Sequence, residues 1–244
     1  MGVNGCGSKL YSEEKILKEL QSKYNISFVV SETTPLRYGD YFKEAIAEER
    51  RTYGQEYSYL ENAKFIKYDI STSEFPDLSF EAYAYISHAI MAGSLNEPYC
   101  TDNVKEVYFV SKFEQWAKEN GISYSITNPG NVLGQSRDIG PGYRIFIDYT
   151  ADEIDWLSQE LVAFLYMMKE EPLIAVPDDY LSVQIFPGFT WKDGITSAVY
   201  VSYLTLNSFW IGVSEPDYFK DIFRRNNEIN EDSVKKFFEY FANK

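Results

Sequence analysis

The sequence predicts an α+β protein made of two units, each an antiparallel sheet with helices packed on one face. Three observations carry this. Helical periodicity runs straight into strand periodicity twice, over residues 12–32 and 150–176. Strand-like segments follow one another too often for the strict strand–helix alternation of a doubly wound parallel sheet. Between the two halves, residues 128–142 hold four glycines and two prolines in fifteen positions, the composition of a long loop or a lobe boundary. The expected organisation is a tether over residues 1–11, one unit over 12–128 and a second over 142–244, the two also being readable as one continuous domain. The repeated helix-to-strand order hints at an internal duplication, although the residue-level match is poor.

The elements follow in order. Ser12 can cap a helix running to Tyr24, with Glu13 and Glu14 at its positive end and Ile16, Leu17 and Leu20 as its buried stripe. Asn25 suits a left-handed exit. Ile26–Glu32 reads as a strand. Pro35 and Gly39 punctuate a loop, and Tyr41–Arg51 reads equally as a thin-faced helix or as part of a hairpin. Lys64–Ile70 and Leu78–Ser87 read as strands, the second alternating Phe80, Ala82, Ala84 and Ile86 against Ser79, Glu81, Tyr83 and Tyr85. Met91–Cys100 reads as a loop. A helix is expected from Asp102 to Asn120 with Gly121 as its stop, then a strand over Ile122–Thr127.

Tyr143–Tyr149 alternates like a strand. Thr150 and Glu153 have the spacing of a capping box. The helix they open places Ile154, Leu157, Leu161, Phe164, Leu165 and Met168 on one face and stops at Pro172. Leu173–Val176, Leu181–Phe186, Ile195–Leu206 and Phe209–Val213 read as strands of a meander. Pro216 fits the first turn of a short helix, and Asn230 opens a last helix carrying Val234, Phe237, Phe238 and Phe241.

Composition excludes several function classes. The 244 residues are 45% hydrophobic and 25% charged, which argues against disorder as the main state. The net charge is −14, a surface that repels nucleic-acid phosphates and anionic lipid and attracts basic proteins. The 21 tyrosines outnumber the 17 phenylalanines, as in a ring-filled β core or a half-wet binding surface. No stretch reaches the roughly 18–20 apolar residues needed to span a bilayer; Leu157–Met168 is interrupted by Ser158, Gln159 and Glu160. With a single histidine, His88, neither a Ser-His-Asp triad without it nor a multi-histidine metal centre is available. Neither the P-loop nor the dinucleotide glycine spacing occurs, so no cofactor or metal is expected. Acidic side chains number 37, too many for spacing alone to select a hydrolytic pair.

The candidate site residues are few. Gly5-Cys6-Gly7-Ser8 has the form of a lipoprotein cleavage point, which makes Cys6 the lipidation candidate. Such a leader carries a basic start and an apolar run of roughly 7–15 residues, so this reading expects a longer start than Met1–Gly5. The alternative is an ordinary thiol near a loose end. A membrane link would come through Cys6 alone, and stable anchoring takes two or more acyl chains. With Cys6 lipidated, Cys100 is expected alone and buried; otherwise a bridge between them is conceivable. Arg137 is the sole cation of the glycine-rich loop. Trp191 and Trp210, with Phe186, Phe189 and Tyr200, form either an aromatic binding wall or core.

The segments EEKILKELQSKYNISFVV (13–30), DLSFEAYAYI (77–86) and TDNVKEVYFVSKFEQWAKENGISYSI (101–126) resemble uncharacterised small lipoproteins of Gram-positive bacteria. Those place a lysine-rich amphipathic helix and a tyrosine-rich strand after the lipid cysteine, with a Thr/Asp-Asn-Tyr run before a second helix. Val104 stands where that tyrosine would be. The resemblance spans about the first 126 residues and implies a location at the cell surface, not an activity. Three expectations follow: a lipid-anchored surface protein acting as a binding or accessory module, a cytoplasmic acidic interaction protein such as a toxin-immunity protein, or an enzyme of unassigned class.

Overall fold

The structure, a computed structural model, describes residues 12–37, 64–86, 98–127, 143–176, 181, 183–187, 203–204, 209–210 and 230–242. The expected tether over 1–11, the helix or hairpin over 41–51, His88, the glycine-rich loop and the helix at Pro216 lie outside these residues. The architecture is α+β, as the sequence predicts. The chain divides into two compact units, one of residues 1–107 with 130–141, the other of 108–129 with 142–244.

The first unit opens with α1 (Glu13–Tyr24). Its ends behave as the sequence implies: the Ser12 hydroxyl accepts from the Lys15 N–H at 3.3 Å, and Asn25 takes the left-handed conformation at φ 55°. Ile16, Leu20 and Tyr24 form its buried face. Strands β1 (Val29–Arg37), β2 (Lys64–Ser71), β3 (Phe80–Ile86) and β4 (Pro98–Asp102) make an antiparallel sheet in the order 1-2-3-4. Tyr68, Ile70, Phe80, Ala82 and Ala84 are buried on one face, and the Phe28 ring meets Phe80 edge-on at 6.1 Å. The opposite face carries charge: Lys67 pairs with Asp69 at 2.9 Å and Glu81 at 3.4 Å.

Two expectations fail here, both at proline. β1 runs on through Pro35, opposite Ile66, and β4 begins at Pro98 inside the segment read as a loop. Both strands are edges of the sheet. Proline lacks the N–H a central strand needs, but an edge strand has one side free of ladder bonds and tolerates it. The next helix, α2 (Val104–Glu119), consequently starts two residues later than Asp102. Asp102 ends β4 instead, its side chain only 5% exposed. Its carboxylate accepts from Lys23 Nζ at 2.8 Å, from the Tyr24 hydroxyl at 2.7 Å and from the Val104 N–H at 3.1 Å. Asn103 joins the same strand end to β3, accepting from the Glu81 N–H at 2.7 Å.

In the second unit, α2 leads to β5 (Ser123–Thr127), which pairs antiparallel with β6 (Tyr143–Asp148). A 3-10 turn (Ala151–Glu153) opens α3 (Ile154–Glu170), followed by β7 (Val183–Pro187), β8 (Tyr203–Leu204), β9 (Phe209–Trp210) and α4 (Glu231–Ala242). The sheet order is 5-6-7-8-9. This sheet is mixed: β6 and β7 run parallel. They flank α3, and a parallel pair needs such a crossover, whereas a meander would join neighbours by hairpins. Leu173–Val176 is not a strand. The N–H groups of Ile174 and Ala175 turn back to the Glu171 carbonyl at 2.9 and 2.8 Å, so Pro172 ends the helix in a turn.

The core of this unit is aromatic. Phe164 stacks on Trp116 at 4.9 Å and meets Phe109 and Phe113 edge-on at 5.5 and 5.8 Å. On α4, Val234, Phe237 and Phe238 are fully buried. Asn230 caps that helix: its side-chain oxygen accepts from the Ser233 N–H at 3.0 Å, and the Ser233 hydroxyl accepts in return from the Asn230 N–H at 3.1 Å.

Two substitutions test this account. Asp102→Ala removes a helix-capping acceptor and the carboxylate that receives the Lys23 ammonium and the Tyr24 hydroxyl, so urea denaturation should show a loss of about 2–4 kcal/mol; a loss below about 0.5 kcal/mol would contradict the role given to this carboxylate. Phe164→Ala opens a cavity among three rings, and the same measurement should read about 3–5 kcal/mol.

Candidate functional site

A hollow of about 260 Å³ lies within the second unit, where the exit of α2, the end of β6 and the first turns of α3 converge. It is lined by Gly121, Ile122, Ser123, Asp148, Tyr149, Thr150, Glu153, Trp156 and Leu157. Local sequence places each wall. Gly121 adopts φ +67°, which glycine reaches without steric cost. Its N–H donates to the Lys118 carbonyl at 3.3 Å, and the Ile122 N–H donates to the Ala117 carbonyl at 2.8 Å. This double return closes the helix C-terminus and turns the chain into β5. Ser123 then faces Asp148 across the antiparallel ladder.

The opposite wall is the entry to α3. The Glu153 carboxylate accepts from the Thr150 N–H at 2.7 Å and from its hydroxyl at 2.9 Å, the reach-back half of the expected capping box. These bonds, the backbone one foremost, hold the Glu153 carboxyl below the usual carboxylate range. Asp155 is drawn off to an ion pair with Lys235 of α4. Leu157 and Ile122 are 1% and 8% exposed and supply apolar lining. Tyr149 donates its hydroxyl to the Phe238 carbonyl at 2.9 Å and meets the Phe238 ring edge-on at 4.8 Å. Burial pushes its phenol up to about 12.

Two groups in the hollow remain uncommitted. Asp148 is exposed, and its carboxylate pairs with no described residue. Trp156 is 41% exposed, and its indole makes no ring, cation or hydrogen-bond contact with a described residue. None of the lining side chains is basic. A carboxylate and an open indole in one lining suit a cation, by charge and by the ring quadrupole together. As a hydrolytic acid, Glu153 is set the wrong way: a general acid needs its pKa raised toward the working pH, and here it is lowered.

The residues singled out from sequence do not assemble this hollow. Cys6, Arg137 and Trp191 lie outside the described residues. Trp210 sits at the end of β9, opposite Tyr203, and its side chain is likewise not described. Cys100 carries a free thiol, partly buried in β4. Burial, with Asp102 and Glu19 nearby, pushes it up to about 12, and a thiol so rarely ionised is a poor nucleophile. Among the described residues, no three His, Cys, Asp or Glu side chains come together as a metal site, and no helix is long and apolar enough to cross a membrane. No protein-family model matches the chain, and neither does a curated protein or a solved structure.

Sequence reading missed Trp156, for which a signal existed. It stands beside Ile154 and Leu157 yet off the stripe those residues begin, so helical geometry turns it outward.

The buried phenol gives a pH prediction. An unfolded tyrosine ionises near pH 10, whereas Tyr149 in the fold keeps its proton to about 12. The unfolded state therefore binds fewer protons in that window, and stability falls as pH rises through it. Tyr149→Phe should lose about 0.5–1.5 kcal/mol at pH 7 for the missing hydrogen bond and then decline less steeply between pH 10 and 12. Parallel decline of the two proteins in alkaline denaturation would refute the assignment.

Proposed function

We propose that this chain is a binding module with a basic protein as its partner, held at a membrane surface by lipid on Cys6. The observation that carries the binding half is the hollow on α3, which offers an Asp148 carboxylate that pairs with none of the described residues and an open Trp156 indole, with no basic side chain in its lining. The net charge of −14 supports a basic partner, because complementary potential steers encounter. The tether rests on Gly5-Cys6-Gly7-Ser8 and on the lipoprotein resemblance over residues 5–126. In this reading the module restrains or presents its partner at the surface and transforms no substrate.

A cytoplasmic interaction protein, such as one that neutralises a basic toxin domain, uses the same hollow and the same charge. It differs only in having a bare Cys6. Detergent phase partitioning of protein made in its native host decides between them. The tethered form enters the detergent phase, the mass of its Cys6 peptide includes acyl chains, and Cys6→Ser shifts it to the aqueous phase. An unmodified Cys6 in freely partitioning protein removes the tether and leaves the cytoplasmic reading.

A further inference from the structure

The outer face of α3 extends the hollow. Trp156, Ala163 and Met167 fall within one narrow stripe at helical spacing, with Tyr166 beside it. Trp156, Tyr166 and Met167 are 41%, 47% and 48% exposed. The eleven steps from Trp156 to Met167 span about 16 Å at 1.5 Å per residue, longer than a small amine. Tryptophan, tyrosine and methionine are the residues enriched where proteins meet. Lys169 lies over the Tyr166 ring at 4.9 Å, so the cationic end of the stripe is internally occupied, while the Trp156 end, beside Asp148, is not.

We infer that this face docks a basic segment of a partner protein, with one lysine or arginine head seated in the hollow between Trp156 and Asp148 and apolar side chains laid along Tyr166 and Met167. The inference rests on the binding reading above and names its surface and its partner chemistry. Charge selects the occupant. A second copy of this chain would itself carry a net charge of −14, and a helix face bearing Glu160 and Glu170 repels an acidic segment. The exposed indole supplies a ring face for the cation, Asp148 supplies the countercharge, and the stripe supplies apolar area that a free amine cannot use.

The test uses the whole chain and a short peptide of alternating lysine and leucine, titrated at low salt by calorimetry and followed by tryptophan fluorescence. Asp148→Asn and Trp156→Ala should each weaken binding about tenfold. Asp77→Asn makes the same change in net charge at an exposed position of the first unit and should weaken it less than about twofold. Both altered hollow residues are exposed, and far-ultraviolet circular dichroism should show the fold retained. Equal losses for Asp77→Asn and Asp148→Asn would make the attraction a property of the whole field and overturn the docking site while leaving a basic partner in place. Binding of lysine amide as tight as the peptide would make the hollow a small-amine pocket and overturn the docked stripe. No binding of the peptide at low salt would overturn the inference outright. The Cys6 partitioning experiment is unaffected by any of these outcomes, so the tether stands or falls separately.

Discussion

The second unit depends on the packing of α2 against α3 through Phe164. This one ring stacks on Trp116 and receives Phe109 and Phe113 edge-on. Aromatic pairs of this geometry add about 0.5–1.5 kcal/mol each beyond the area they bury, and they fix direction as well as distance. The two helices run antiparallel: at the far end the Tyr108 hydroxyl donates to Glu171 at 2.6 Å, eight residues before Trp116 on one helix and seven after Phe164 on the other. Continued the other way, the same alignment brings Gly121 beside Leu157. The hollow is what this register leaves where one helix must end and the other begin.

The first unit solves the same problem with a polar group. Asp102 ends a strand, caps α2 and receives two side chains from α1. Three donors, one of them the Lys23 ammonium, meet the charge and most of the acceptor capacity of this carboxylate and offset the desolvation its burial costs. The apolar contacts around it, Phe28 on Phe80 and Tyr24 on Phe28, set how close α1 lies to the sheet. The carboxylate sets its position along the sheet. The Asp102 carboxylate is thereby committed to joining α1, β4 and the start of α2.

Local signals in the sequence were legible where the physics is local. Ser12 and Asn25 bound α1 as their side-chain and backbone preferences dictate, and Glu153 reaches back to Thr150. Pairing was less legible. Pro35 and Pro98 read as breaks because a proline in a run of residues signals a missing donor, yet the cost vanishes on an edge strand, and edge position is a tertiary fact. The parallel pair of β6 and β7 follows from what α3 must cross over, which periodicity in either strand cannot report. Leu173–Val176 is apolar enough for a strand but too close to the helix end it closes. The hollow was least legible of all. Its residues come from three segments spread over 37 positions, from Gly121 to Leu157, and only the Gly121 turn and the α2–α3 register unite them.

What the hollow can do turns on how its two carboxylates differ. Glu153 stands in the 3-10 turn at the amino end of α3, where the backbone dipole favours negative charge. Glu153 satisfies that preference from within, by accepting from Thr150, and its charge is then shared between cap and rim. Asp148 belongs to the strand and owes nothing to the helix, so its field projects into the opening. A ligand meeting this pair encounters one fixed and one uncommitted anion beside a bare indole. A neutral ligand would have to leave Asp148 without a countercharge in a partly closed space, which costs desolvation with no return. A cation recovers that cost at the carboxylate and gains again at the ring. The charge of the opening and the overall charge of the chain are separable, because they act at different ranges: the net charge of −14 acts over about a Debye length, whereas Asp148 and Trp156 act only on contact.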